Sequence, residues 1–108
     1  MDDIAKMKVL VCDDEALARM RLKRLVEMAN MEVSAEAASG REAVESAGRL
    51  RPDVVLMDIR MPDMDGLEAA AHLDKMENPP AVIFCTRLRA RALSSARLRS
   101  WAPTGLSR

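Results

Sequence analysis

Pro52-Asp53-Val54-Val55-Leu56-Met57-Asp58 sets four consecutive apolar residues between a proline-led start and a carboxylate. A short apolar run bounded in this way suits a strand buried on both faces, as in a parallel sheet. The same pattern occurs near the start of the chain, where Met7-Lys8-Val9-Leu10-Val11-Cys12 runs into Asp13-Asp14-Glu15. It occurs again as Ala81-Val82-Ile83-Phe84-Cys85-Thr86, after the helix-stopping Asn78-Pro79-Pro80. Met31 to Ala37 alternates weakly and predicts a more exposed strand.

Helical patterns fill the gaps. The first offers Leu17, Met20, Leu25 and Met28 as an inner face, widened by Leu22 and Val26, with Arg19, Arg21, Lys23, Arg24 and Glu27 outside. The second opens at Ser39, three residues before Glu42, a capping-box pattern. Ala43, Val44 and Ala47 follow as its inner face, and Gly48 weakens its end. The third runs from about Gly66 to Met76 with Leu67, Ala70, Ala71 and Leu73 inward. Strands alternating with helices through residue 86 predict a doubly wound α/β fold around a parallel sheet.

With 108 residues and 11.9 kDa, the chain has room for one small domain. An apolar share of 49% and a charged share of 31% describe a globular chain, not a disordered one. The formal net charge of zero conceals a division. Residues 1–86 hold all seventeen acids against eleven Lys and Arg, whereas 87–108 hold six Arg, no Lys and no acid. No run approaches the roughly 18 apolar residues of a membrane span, and the N-terminus lacks the apolar core of a signal peptide. Cys12 and Cys85 sit inside apolar runs and read as reduced core residues rather than a bridge or metal pair, which points to the cytoplasm. The nine Met, Met20, Met28, Met57 and Met76 among them, read mostly as core fill.

In a parallel sheet, ligands sit beyond the carboxyl ends of the strands, at the switch point of the strand order. Asp13 and Asp14 end one strand and Asp58 ends another, and Thr86 brings a hydroxyl to the tip of a third. Three converging carboxylates repel unless a cation joins them, and an all-oxygen donor set suits Mg²⁺. A carboxylate beside Mg²⁺ is able to attack a phosphoryl group and form an acyl phosphate. The competing reading has Asp13 and Asp14 capping a helix and Asp58 opening a loop. Capping accounts for one acid per strand end but not for three at adjacent tips. Ser39-Gly40-Arg41 lacks the glycine spacing of a phosphate loop, which argues against a nucleotide enzyme. His72, the only histidine, reads as a surface residue.

Residues 7–86 resemble the receiver domain of two-component response regulators, closest in style to the receivers of LytTR-type transcription regulators. The resemblance rests on Val11-Cys12-Asp13-Asp14-Glu15 with Leu17-Ala18-Arg19, on Pro52 to Pro62, on Asp63-Met64-Asp65-Gly66 and on Pro79 to Thr86. It implies a flavodoxin-like sheet of order 2-1-3-4 and a phosphoacceptor at Asp58. Asp14, Asp58 and the backbone carbonyl of Arg60 would ligate Mg²⁺, with Asp13 joining directly or through water. Thr86 would be the switch hydroxyl, Pro62 and Gly66 would shape the loop after Asp58, and Cys12 would be a tolerated core substitution. The implied partner is a sensor histidine kinase. Such domains catalyse their own phosphorylation and slow hydrolysis but act mainly as signalling modules.

The resemblance stops at Thr86. A complete receiver continues with a fourth helix, a fifth strand carrying an aromatic residue and a Lys-Pro pair, and a fifth helix. Here there is no Tyr, Phe84 is the only Phe and Lys75 is the last Lys. The expected organisation is a partial receiver over 1–86 and an Arg-rich tail over 87–108, with a helical pattern over 87–100. That composition is what an out-of-frame reading of a GC-rich gene gives, so a frameshifted or truncated receiver is one expectation. A natural tail contacting nucleic-acid phosphates is another. No DNA-binding output domain is recognisable, and an open sheet edge predicts a swapped or edge-paired homodimer. Function therefore divides into a working phosphoacceptor module and a remnant that binds Mg²⁺ but phosphorylates or switches poorly.

Overall fold

The computed structural model describes residues 6–85; Thr86 and the segment 87–108, with the helix expected over 87–100, lie outside the described residues. Four strands and three helices alternate: β1 (Lys8–Cys12), α1 (Ala16–Met28), β2 (Glu32–Ala37), α2 (Gly40–Leu50), β3 (Val54–Met57), α3 (Gly66–Asp74) and β4 (Ala81–Phe84). All pairings are parallel, and the order is β2-β1-β3-β4, as the resemblance implies. The chain steps from β1 to β2 on one side and to β3 on the other. The crevice beyond the ends of β1 and β3 is thus the switch point.

Strand alternation divides the core between the two faces. Leu10, Cys12, Val55 and Met57 point to one face and pack with Ala43 and Ala47 of α2 and Ala69 and Leu73 of α3. Val9 and Val11 point to the other and pack with Val26 of α1, flanked by Leu22, Val33, Val54 and Leu56. β1 is buried on both faces, which explains its unbroken apolar run. β2 is half-exposed, as expected, and its register against β1 shifts between Val9 and Leu10. There the Ser34 hydroxyl donates to the Val9 carbonyl at 3.2 Å.

Three expectations need correction. The inner face of α1 is Ala18, Leu22 and Val26, while Leu17, Met20, Leu25 and Met28 are exposed. Leu22 and Val26 meet Val9 and Val11 on the sheet, and polar anchors one turn apart tie the same helix to β2. Arg19 Nε and Lys23 Nζ donate to the two Glu36 carboxylate oxygens on β2 at 3.0 and 2.7 Å. Arg19, expected outside, also donates to the Asp13 carbonyl at 2.7 Å. Met20 and Met28 are accordingly not core fill, whereas Met57 is buried and Met76 packs against the core. The inner face of α3 is Gly66, Ala69 and Leu73, with Ala70 half-buried and Leu67 exposed. Small residues face inward because α3 lies against α2: a Cβ on Gly40 would sit 3.1 Å from Ala69 Cβ. Finally, Cys12 is buried but Cys85 is only half-buried.

α2 starts where its cap pattern places it, and Ser39 Oγ accepts from the Glu42 amide at 3.2 Å. The reciprocal bond of the capping box goes one residue further out, from the Ala38 amide to Glu42 Oε1 at 2.8 Å. Among the described residues β4 pairs only with β3, and it leaves Ile83 51% and Phe84 39% exposed.

Two glycines of opposite kind test this packing. A Cβ on Gly48 meets nothing within 4 Å, whereas one on Gly66 would lie 2.3 Å from the Asp58 carbonyl oxygen. Gly48→Ala is expected to stabilise the fold by roughly 0.5–1 kcal/mol through lost backbone entropy in the unfolded chain. Gly66→Ala is expected to destabilise it by roughly 1–3 kcal/mol. Urea midpoints check both, and an unchanged midpoint for Gly66→Ala contradicts the packing described.

Candidate metal centre

The parallel ladder carries the acids to one place. Beyond the last residues of β1 and β3, the Asp13 amide donates to the Ala37 carbonyl and the Asp58 amide to the Cys12 carbonyl, each at 3.0 Å. These bonds hold both aspartates level with the sheet end. Asp13, Asp14 and Asp58 each present a carboxylate oxygen, and the three lie within 4.8 Å of one another. Asp13 and Asp58 are buried and Asp14 is exposed. All three residues that the sequence assigns to the metal by side chain are therefore together.

The competing reading holds for Asp58, which opens the loop after β3, but not for a cap on α1. Asp13 Oδ1 accepts from the Glu15 amide at 2.9 Å, but Glu15 is the N-cap of α1 and neither aspartate occupies that position. An open cleft of about 520 Å³ lies beside the acids, lined by Asp14, Ile59, Arg60, Met61, Pro62 and Asp65. Arg60 and Pro62 thus sit where the sequence puts them, on the loop leaving β3. Gly66 closes that loop by donating to the Ile59 carbonyl at 2.7 Å. Its role is room for close approach, since a side chain there would strike the Asp58 and Ile59 backbone. Thr86 lies outside the described residues. Its neighbour Cys85 donates its amide to the Met57 carbonyl at 2.8 Å.

The sequence reading missed Asp65, which both lines the cleft and caps α3, its Oδ1 accepting from the Glu68 amide at 2.8 Å. Its signal was present: an Asp three residues before a Glu at a helix start. The tie from Arg19 to the Asp13 carbonyl had no signal in the periodicity.

The donor set fits Mg²⁺. It is oxygen only, and an octahedral Mg²⁺ shell with bonds of about 2.1 Å spans about 4.2 Å, close to the spread of these oxygens. Sulfur stays out of it. Cys12 is buried in the core with α2 and α3, its thiol donating to the Ser39 carbonyl at 3.3 Å and lying 3.4 Å from Met61 Sδ. Burial, and then the Asp13 charge, push that thiol up to about 12, so it keeps its proton. Burial also raises the Cys85 thiol, with Asp13 and Asp58 adding to it.

Comparison with known proteins agrees with this geometry. The response regulator receiver domain family matches residues 9–100. The chain belongs to this family. The match runs past Thr86, where the resemblance read from the sequence stops. The receiver is 42% identical over 86 residues to the chemotaxis protein CheY of Thermotoga maritima, covering 80% of this chain and 72% of that protein. It is 52% identical over 82 residues to the positive alginate biosynthesis regulatory protein of Pseudomonas aeruginosa, covering 74% of this chain and 33% of that protein. To the sensory transduction protein LytT of Bacillus cereus it is 44% identical over 90 residues, covering 82% of this chain and 37% of that protein. The chain therefore spans about a third of these two longer relatives. Among solved structures, the receiver domain of the putative response regulator NarL from Mycobacterium tuberculosis superposes with a TM-score of 0.74 at 34% identity, covering 82% of this chain and 73% of that one. Receiver domains bind Mg²⁺ through acidic residues and are phosphorylated by sensor histidine kinases. Among the described residues no helix is long and apolar enough to cross a membrane.

The ion cluster that fixes α1 beside this site has a pH signature. Hydrogen bonds from Lys23 and then Arg19 hold the Glu36 carboxyl below its ordinary value of 4.5. A group whose folded pKa is depressed stabilises fully above its unfolded pKa and loses that contribution as pH falls through the folded one. Glu36→Gln is therefore expected to lower Tm at pH 7 by a small amount, since a part-exposed pair contributes less than about 1 kcal/mol. The difference from wild type should close as pH falls below 4.5. A difference that is constant with pH contradicts the ion-pair assignment.

Proposed function

We propose that this receiver is a phosphoacceptor module of a two-component phosphorelay. Asp58 accepts a phosphoryl group from the phosphohistidine of a sensor histidine kinase in an Mg²⁺-dependent step, with Thr86 as the switch hydroxyl. The observation that carries the reading is the convergence of Asp13, Asp14 and Asp58 within 4.8 Å at the ends of two adjacent strands, beside an open cleft.

Asp14 and Asp58, with the Arg60 backbone carbonyl, would hold the ion, and Asp13 would hold it directly or through water. When bound, Mg²⁺ neutralises charge on the oxygens in transfer. Asp58 is buried and its backbone is fixed to β1, so its carboxylate meets the donor with little freedom left to lose. Its oxygen forms the new bond to phosphorus as the phosphorus–nitrogen bond breaks, and the histidine departs as neutral imidazole once protonated. Water attack on the acyl phosphate later restores the carboxylate. Loop shape is the part assigned to Pro62 and Gly66.

Among the described residues β4 pairs only with β3, and this edge, with Ile83 and Phe84 exposed, supports pairing of two chains through it. The cytoplasm is the compartment where a kinase-fed receiver works. The division into a receiver over 1–86 and an Arg-rich tail over 87–108 is retained on composition.

One observation favours a second reading. No Lys follows Lys75, and composition changes abruptly after Thr86. An arginine is not a substitute for the ammonium point charge that the family places near the phosphoryl group. On this reading the chain is a receiver that binds Mg²⁺ but is defective in phosphorylation or switching.

Intact-mass measurement after incubation with Mg²⁺ and acetyl phosphate separates the two. The phosphoacceptor reading expects a gain of about 80 Da, one phosphoryl group, that is lost without Mg²⁺ and in Asp58→Asn. A folded protein that gains no mass supports the second reading instead.

A further inference from the structure

We propose that Arg41, together with the backbone of Gly40, is a positioning residue that fastens the loop between β3 and α3 and thereby sets Mg²⁺ affinity. The inference rests on the reading of the acid cluster given above, and specifically on the Arg60 carbonyl as a ligand.

That loop forms one wall of the cleft, yet its own bonds secure only its base, through the Gly66 amide and the Ile59 carbonyl. Its middle is held from outside by two consecutive residues at the start of α2, Gly40 and Arg41. The Ser39 carbonyl accepts from the Cys12 thiol, which in turn lies 3.4 Å from Met61 Sδ. The Gly40 amide donates to the Met64 carbonyl at 3.0 Å. Arg41 places its fork on Asp63, with Nε on Oδ2 at 2.8 Å and Nη2 on Oδ1 at 3.4 Å. Gly40 and Arg41 thus touch the loop at residues 64 and 63, with Ser39 linked to Met61 only through Cys12, and Gly40 leaves no alternative spacing, because a Cβ there would lie 2.2 Å from the Met64 oxygen.

Asp63 stands at φ 70°, in the left-handed region that non-glycine residues seldom adopt. The guanidinium fork fixes the side chain of this one left-handed residue, and with it the direction in which residues 60–62 approach Asp14 and Asp58. Arg41 and Asp63 are 59% and 53% exposed, so the fold as a whole depends little on their attraction. What the fork supplies is direction, in keeping with the planar bidentate geometry of arginine.

The test is calorimetric titration of Mg²⁺ into the full 108-residue chain, with Tm measured in Mg²⁺-free buffer alongside. Arg41→Gln and Asp63→Asn are each expected to raise the Mg²⁺ Kd by roughly two- to fivefold, the range an exposed ion pair supplies. Tm should not move. The double variant should be no weaker than either single one, because both remove the same link. Arg41→Lys should fall between, keeping the charge and losing the fork. An unchanged Kd in Arg41→Gln while wild type binds Mg²⁺ overturns the inference and leaves the site intact. A Kd that shifts only with an equivalent loss of Tm overturns it in favour of a structural role. Wild type that binds no Mg²⁺ overturns the inference together with the reading of the site.

Discussion

The bond from the Asp58 amide to the Cys12 carbonyl, 3.0 Å long, brings the ends of β1 and β3 level, and three carboxylates arrive at one point as a result. Like charges so close are costly in a partly buried setting, and a hard divalent cation is the most direct compensation. Much of the surrounding structure keeps that arrangement from relaxing. Arg19 holds the Asp13 carbonyl, Gly66 lets α3 press against the Asp58 backbone, and Asp65 caps α3 at the cleft wall. The charge is concentrated by strand register, and register is set by the apolar residues of both sheet faces.

Sequence alone made the strands and the acids legible because both depend on local text. A strand buried on both faces must be continuously apolar, and an acid at its end follows it wherever it goes. Helix rotation was not legible in the same way. α1 carries apolar residues on more than one stripe, and periodicity does not say which stripe meets the sheet. The stripe that meets the sheet is the one that packs on Val9 and Val11, a contact between elements distant in sequence, and Arg19 and Lys23 add their tie to Glu36 on β2. α3 was misread for a related reason. Its buried face is small because α2 comes close, and inter-helix distance is not written in either helix by itself. Cys85 belongs to an apolar run, yet the run forms an edge strand and the thiol is only half-buried.

Membership in the receiver family joins this geometry to a known class of chemistry. Two features bear on that chemistry: the abrupt charge reversal after Thr86 and the contacts of Gly40 and Arg41 with the loop after β3. The first bears on whether an acyl phosphate forms and is sensed. The second bears on how firmly the ion is held.

The central claim is that the three carboxylates form a cation site whose mutual repulsion is relieved by Mg²⁺. Thermal unfolding of the wild-type chain with and without millimolar Mg²⁺, against NaCl of equal ionic strength, tests it most directly. A ligand that binds only the folded state raises Tm by mass action, so Mg²⁺ should raise it by several degrees where NaCl does not, and Asp14→Asn should lose most of that rise. Equal Tm values in Mg²⁺ and matched NaCl would contradict the claim.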